Sequence, residues 1–272
     1  MTSVLDLRGE KTPARLLLRD LWRERGLLPM LAAKDFHARY RSASLGVLWS
    51  VFLPILQGAV LAIVFTKVVK ISTPYSYPVF VLSGMVTWSY FSSSLTTGAT
   101  AIVDASAIAS KVYFPRLILP AVPALANLPS YAISSGVVVL LMLALGVGIS
   151  PAILLLPLAM ALTVALAIAL SALVTLAHVY FRDVRYVVQA TLMVALYATP
   201  VIYPLDRAKG LRPLLIWGNP MTGAIQLVRY AVFRQADSVG PAVLSSLVWL
   251  VVLSVAAVLA YRRHERVAVD RL

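Results

Sequence analysis

The stretch from Leu117 to Phe181, LILPAVPALANLPSYAISSGVVVLLMLALGVGISPAILLLPLAMALTVALAIALSALVTLAHVYF, runs for 65 residues without an aspartate, glutamate, lysine or arginine. A bilayer core roughly 30 Å thick is crossed by about 20 apolar residues in a helix. This tract therefore has room for two crossings and a turn, and Gly146-Val147-Gly148-Ile149-Ser150-Pro151 supplies the turn signal. Outward from it lie four more charge-free tracts: 25 residues between Arg41 and Lys67, 33 from Ile71 to Val103, 20 from Tyr186 to Leu205 and 24 from Ser238 to Tyr261. Together they predict an all-α integral membrane protein with six transmembrane helices near 47–66, 79–99, 119–146, 152–177, 187–204 and 241–261. A shorter apolar segment, 213–228, is broken by Trp217-Gly218-Asn219-Pro220. Its length and its break predict a re-entrant outer hairpin between helices 5 and 6 rather than a seventh span.

Composition agrees. Of 272 residues, 60% are hydrophobic and only 13% charged, about half the charged share of a soluble domain. The mean hydropathy is +0.87. A soluble domain and a disordered chain are both excluded by these figures. The absence of cysteine excludes disulfides, zinc–thiolate sites and a thiol nucleophile.

The net charge of +13 is a topology signal rather than a nucleic-acid signal. With both termini inside, the cytoplasmic segments hold 17 lysines and arginines and the outer segments 7. Residues 1–46 then form a cytoplasmic interface segment, 47–261 the transmembrane domain and 262–272 a cytoplasmic tail. The first 40 residues are charged and do not read as a cleavable signal peptide. Arg15, Arg19 and Arg23 recur every fourth residue, with Leu17, Leu18 and Leu21 on another face. This pattern predicts an amphipathic helix lying on the membrane surface; the alternative is a solvated charged arm. A second helix is expected from about Pro29 to Tyr40.

The chemistry available is narrow. No GxxxxGK[ST] sequence occurs, so the chain is not expected to hydrolyse ATP. His37, His178 and His264 lie in distant segments without ligand spacing, and no metal site or catalytic centre is expected. The predicted spans carry no ionisable carboxylate or cation, which disfavours proton coupling, whereas sodium coupling through carbonyls and hydroxyls stays open. Asp104, Asp183, Asp206 and Asp237 form no convincing acid–base pair by spacing. A body without an engine is either passive or driven by a partner.

Four stretches depart from simple hydrophobic filler: RYRSASLGVLW at 39–49, KVYFPRLILP at 111–120, FRDVR at 181–185, and PVIYP at 200–204 followed by NPMTGAIQLVR at 219–229. In the first, the forked guanidinium groups of Arg39 and Arg41 suit a phosphate, and Gly46 allows the chain to turn from a surface helix into a span. The alternative is a positive-inside stop anchored by Trp49. In the second, an exposed Phe114 flanked by Lys111 and Arg116 suits docking against another protein; the alternative is a loop with snorkelling cations.

In order and spacing these stretches resemble the membrane subunits of ABC-2-type exporters, most closely the permeases for lipid-linked polysaccharides such as O-antigen, teichoic acid or galactan. The resemblance covers about Leu16 to Arg263. It implies a homodimer in the plasma membrane bound to two copies of a separate ABC ATPase, which binds ATP and Mg; this chain itself needs no cofactor. By the family pattern the cargo is a polyprenyl-diphosphate-linked glycan. Arg39, Arg41 and Gly46, with Lys111 and Arg116, would receive its diphosphate at the inner mouth. Trp88, Tyr90, Phe91, Tyr131, Tyr197 and Tyr203 are the aromatics in or near the spans, of which some would line a glycan channel and the rest belong to the interfacial belt. Lys111, Tyr113 and Phe114 would dock the ATPase, with Arg182 and Asp183 as a second contact or a structural ion pair. Gly218, Asn219 and Pro220 would form an outer gate. The competing readings are an ABC-2 pump for drugs or other lipids, a gradient-driven carrier and an intramembrane enzyme.

Overall fold

A computed structural model of the chain describes residues 19, 23–41, 44, 46–68, 76–105, 115–208 and 210–270, with side chains in the last helix described through 263. All the regular structure among them is helical. In chain order the α-helices are α1 (Leu27–Tyr40), α2 (Leu48–Ile63, continued by a π turn to Val68), α3 (Tyr77–Gly98), α4 (Ala101–Asp104), α5 (Ala121–Ala126), α6 (Leu128–Ala144), α7 (Leu156–Tyr180), α8 (Val184–Ala198), α9 (Arg212–Gly218), α10 (Met221–Phe233) and α11 (Val239–Asp270).

The 65-residue charge-free tract is α6 and α7 with the turn where the glycines fall. Leu143 and Met142 give their carbonyls to the N–H groups of Gly146 and Val147, and Gly146 sits at φ +68°. That bond pair is the Schellman ending of a helix, which favours glycine at the left-handed position. Ser150 then accepts the N–H of Ala152 and starts the next helical segment beside Pro151.

Among the described residues, four helical segments are long and apolar enough to cross a bilayer: Leu48–Lys67, Arg116–Ala144, Pro151–Tyr180 and Val239–Arg263. They coincide with the first, third, fourth and sixth predicted spans. The second and fifth differ. The fifth, α8, is 15 residues long, about 22 Å at 1.5 Å per residue, because Pro200 stops it. The second, α3, has 22 residues and ample length, but its serines and threonines make it too polar to qualify. Packing explains that polarity. α3 is the central helix, with α2, α6, α7 and α10 around it, and 16 of its residues are buried. Its hydroxyls turn back on its own carbonyls, Ser83 to Phe80 and Thr87 to Ser83, so they are satisfied without water. A helix sheathed by protein has no need of a lipid-facing stripe.

The peripheral helices show the opposite pattern. Phe52, Leu56, Val60 and Ile63 on α2, Met193 and Val194 on α8, and Val251 and Val255 on α11 are exposed. Apolar faces of this extent are covered by lipid or by another polypeptide. The chain is a multi-pass membrane protein. The second N-terminal helix appears as α1, beginning at Leu27, two residues before Pro29. Of the expected basic helix only Arg19 and Arg23 are described, both exposed; Arg15, Leu17, Leu18 and Leu21, and Lys111, Tyr113 and Phe114, lie outside the described residues.

Candidate translocation site

Two cavities flank α3. The first, about 240 Å³, opens beside Arg39 and is bounded by α1, α2, α3 and α6. Arg39 is positioned from both sides. It donates to Asp35 at 2.5 Å, one helical turn back, and to Asn127 Oδ1 at 2.9 Å. Asn127 in turn donates to Ser94 at 3.1 Å. Ser50 on α2 donates to Ser130 on α6 at 2.8 Å. Tyr90 stacks on Tyr131 with ring centroids 4.3 Å apart and planes 15° apart. The Tyr90 hydroxyl donates to the Ala124 carbonyl at 2.8 Å and that of Tyr131 to Thr87 at 3.3 Å. A guanidinium at the rim, a row of hydroxyls and a paired aromatic surface thus share one recess.

The second cavity, about 600 Å³, lies between α3, α7, α8 and the α9–α10 hairpin. Trp88 and Phe91 line it from α3, and Gly218, Asn219 and Pro220 from the hairpin. The sequence-predicted aromatics therefore divide: Tyr90 and Tyr131 to the small polar recess, Trp88 and Phe91 to the large apolar one. Tyr197 is exposed on α8, and Tyr203 is half-buried in the loop after it. Arg41 is exposed one residue beyond α1, and Gly46 takes φ +52°, the left-handed turn expected where α1 gives way to α2. Arg116 opens a single 3₁₀ turn before α5. Arg182 and Asp183 are both exposed in the turn between α7 and α8.

The α9–α10 hairpin is tied at its break. Asn219 Oδ1 accepts the N–H of Met221 at 2.9 Å, starting α10, while its amide donates to Thr199 at 2.8 Å. Thr222 reaches back to the Leu215 carbonyl at 2.7 Å, and Trp249 Nε1 on α11 donates to the Trp217 carbonyl at 2.8 Å. Asn219→Ala removes the bond that starts α10 together with the cross-link to Thr199. A loss of about 1–2 kcal/mol is expected, read as an earlier thermal transition of the detergent-solubilised protein.

Three residues of this region were not legible as site residues in the sequence. Asn127 is an isolated amide in an apolar tract. Gln226 and Arg229 occupy α10 and are 2% exposed each. Arg229 counts as an outer-loop cation in the charge tally, but the structure places it inside a helix. Its Nη2 donates to the Val201 carbonyl at 2.6 Å, and its guanidinium lies 3.7 Å over the Phe80 ring. Spacing did not single it out, because every residue of α10 from Met221 to Arg229 is buried and the helix shows no exposed face there to contrast with a buried one.

Residues 27–233 match the ABC-2 type transporter family. An O-antigen export system permease protein, RfbA, of Myxococcus xanthus is 31% identical over 207 residues, covering 75% of this chain and 79% of its own. A protein of the same description from Klebsiella pneumoniae is 28% identical over 204 residues, covering 73% and 77%. The family match takes in the Arg39 recess, the large cavity and the whole α9–α10 hairpin, and the chain belongs to the ABC-2 type transporter family.

Proposed function

We propose that this chain is the membrane-spanning subunit of an ATP-driven exporter that moves a polyprenyl-diphosphate-linked polysaccharide from the cytoplasmic to the outer face of the plasma membrane. The observation that carries this reading is the family match over 27–233, together with relatives described as O-antigen export permeases over three quarters of the chain. In this reading α3 and α8 complete six spans, the latter extended by Thr199–Tyr203. α9 and α10 re-enter from the outside, the basic N-terminal segment lies on the inner surface, and both termini are cytoplasmic. Two copies of the chain pair with two copies of a separate ATPase that binds ATP and Mg.

The site geometry suits that cargo. A diphosphate needs forked cations close to the inner surface, and Arg39 and Arg41 stand beside the Gly46 turn, with Lys111 and Arg116 in the next cytoplasmic segment. Sugar rings present hydroxyl edges and C–H faces. The first are matched by Ser50, Ser130 and Asn127, the second by the Tyr90–Tyr131 surface and by Trp88 and Phe91. In this reading the hairpin break at Gly218-Asn219-Pro220, which lines the large cavity, serves as the outer gate. In this reading Lys111, Tyr113 and Phe114 supply the docking knob for the ATPase, and Arg182 and Asp183 a second contact or a structural ion pair.

Copurification with an ABC ATPase subunit of the host, followed by mass spectrometry of bound lipid, tests partner and cargo together. A stable complex carrying a lipid-diphosphate glycan is the expected result. A complex carrying only drugs or phospholipid would assign the chain to a different ABC-2 pump. Arg41→Ala is expected to lower surface glycan at least about tenfold, since a charged hydrogen bond of about 1.5–3 kcal/mol is lost. Its assembly with the ATPase should stay intact, so a loss of complex would place Arg41 in structure instead. Phe114→Ala is expected to release the ATPase during copurification, because a buried aromatic anchor typically contributes 2 kcal/mol or more at an interface.

A further inference from the structure

A third cavity, about 380 Å³, shares Arg39 with the recess of about 240 Å³. The same three walls bound both, read further along the chain. On α1, Leu31 to Arg39 face the third cavity, and Arg39 and Tyr40 the recess. On the second wall, Asp104, Ala101 and Thr97 face the third cavity, and Ser93 and Ser89, successive turns earlier on α3, the recess. On the third, Leu119 to Pro123 face the third cavity, and Asn127 to Ser134 the recess. The two spaces therefore lie end to end along α1, α3 and the α5–α6 segment.

A chain of hydrogen bonds stands at the boundary, with one member from each wall. Arg39 donates to Asn127 Oδ1 at 2.9 Å, and Asn127 donates to Ser94 at 3.1 Å. Asn127 is the first recess residue on its wall, and Ser94 follows Ser93, the last on its own. The amide is 7% exposed and fixed by its bond to α3, whereas the Arg39 side chain is 26% exposed. Arg39 also donates to Asp35, on the third-cavity side. If it let go of Asn127 it would keep that anchor, so the guanidinium is the movable part.

The two chambers differ in chemistry. Lys34, Asp35 and Asp104 bring charge to the third cavity, while beyond Arg39 the polar side chains lining the recess, serine, tyrosine, Asn127 and Gln57, are neutral. One bond to a neutral amide oxygen separates them. A phosphate oxygen carries charge and is the stronger acceptor for a guanidinium. It also gains more from a released Arg39, which has one more N–H free, and that differential affinity is what shifts a two-state equilibrium.

We propose that Arg39 and Asn127 form an inner gate across a single lane, that Asn127 is the positioning residue holding it shut, and that an anionic phosphate headgroup opens it by drawing the guanidinium off the amide. It rests on the export reading for the source of the headgroup and for the third cavity being the cytoplasmic one.

The chain contains no cysteine, so Ser89→Cys, half-buried on the recess wall, gives a single reporter. The full permease–ATPase complex is held in inside-out vesicles. A cationic methanethiosulfonate is added to the cytoplasmic face, and modification of the permease is timed by mass spectrometry. Asn127→Ala should speed modification about tenfold or more, the shift that follows loss of a hydrogen bond to a charged group. Arg39→Met, which keeps length but removes the donors, breaks the same bond from the more exposed side and should match it, guarding against a folding defect at Asn127. Asn127→Asp offers Arg39 a charged acceptor and should slow modification below the parent rate and lower surface glycan. Packing damage alone would move both Asn127 variants the same way. Sodium pyrophosphate should speed modification in the parent and change nothing in Asn127→Ala, where the gate already stands open. Unchanged rates in Asn127→Ala and Arg39→Met, both Asn127 variants shifting together, no effect of pyrophosphate, or an equal effect of sodium chloride at matched ionic strength would each overturn the gate. Cells lacking the chain separate the two readings. Reduced surface glycan there with unmoved modification rates rejects the gate alone, whereas unchanged surface glycan rejects the export reading whatever the rates show.

Discussion

Gly223→Ala is expected to lower the thermal transition of the folded protein strongly. A Cβ at this position would lie 2.2 Å from the Ala242 carbonyl oxygen and 2.4 Å from Ser246 Oγ. The first contact is with backbone, so no side-chain rotation relieves it. The second is with a hydroxyl that already accepts the Gly223 N–H at 3.1 Å and donates to the Pro220 carbonyl at 2.5 Å. Adding one methyl must therefore part α10 from α11 and break the link that holds the hairpin break against α11. Overpacking of a tight core costs about 1–3 kcal/mol, and the backbone clash puts this case at the upper end. The check is the thermal transition of the solubilised protein by size-exclusion survival. Gly240→Ala is the matched control: it lies on α11 with nothing within 4 Å of the added carbon, and its transition should be unchanged. Equal behaviour of the two variants would mean that α10 and α11 do not meet as described.

The contrast between those helices shows what the sequence could and could not disclose. Charge-free tracts reveal helices that face lipid, because hydrocarbon forbids ionised groups on the surface of a span. That is why α2, α6, α7 and α11 were legible. The turn at Gly146 was legible too, since few residues besides glycine enter the left-handed region at low cost. The same signal finds α3, expected near 79–99 and observed at Tyr77–Gly98, but does not tell that protein surrounds it. α3 carries serine, threonine and tyrosine without penalty because its partners are other helices. α10 was legible as part of the broken hairpin, but the burial of Gln226 and Arg229 within it was not.

The site divides in the same way. Arg39, Gly46 and Asn219 stand in motifs with a local physical reason: a guanidinium before a span, a left-handed turn, an amide at a helix start. The separation of Tyr90 and Tyr131 from Trp88 and Phe91 depends on which face of α3 each occupies and on what packs there. Trp88 and Phe91 share one face, and Tyr90 lies on another, although the three fall within four residues. Spacing gives the angular offset, but only tertiary packing says which cavity each face meets.

Arg229→Ala is expected to be as damaging as Gly223→Ala, for the opposite reason. It leaves a hole where the wild-type glycine leaves no room. Arg229 is among the largest fully buried side chains. Its loss takes the donor from the Val201 carbonyl, in a residue with no exposed surface, and bares the Phe80 face on which the guanidinium lies. Truncating a large buried side chain costs about 2–5 kcal/mol, and the orphaned carbonyl adds to that. Arg229→Lys keeps the charge but not the flat fork that stacks on a ring and donates sideways in one geometry, so an intermediate loss is expected. Gly84 tests the same arrangement from the other side. A Cβ there would sit 2.9 Å from the Val201 oxygen and 3.4 Å from Arg229 Nη2. Gly84→Ala should therefore push the Pro200–Val201 turn away from the guanidinium. If Arg229, Val201 and Gly84 act as one unit, the double variant loses about as much stability as the worse single one rather than the sum. A strictly additive double variant would mean that the turn and the guanidinium are held independently, and that Gly84 serves only the packing of α3.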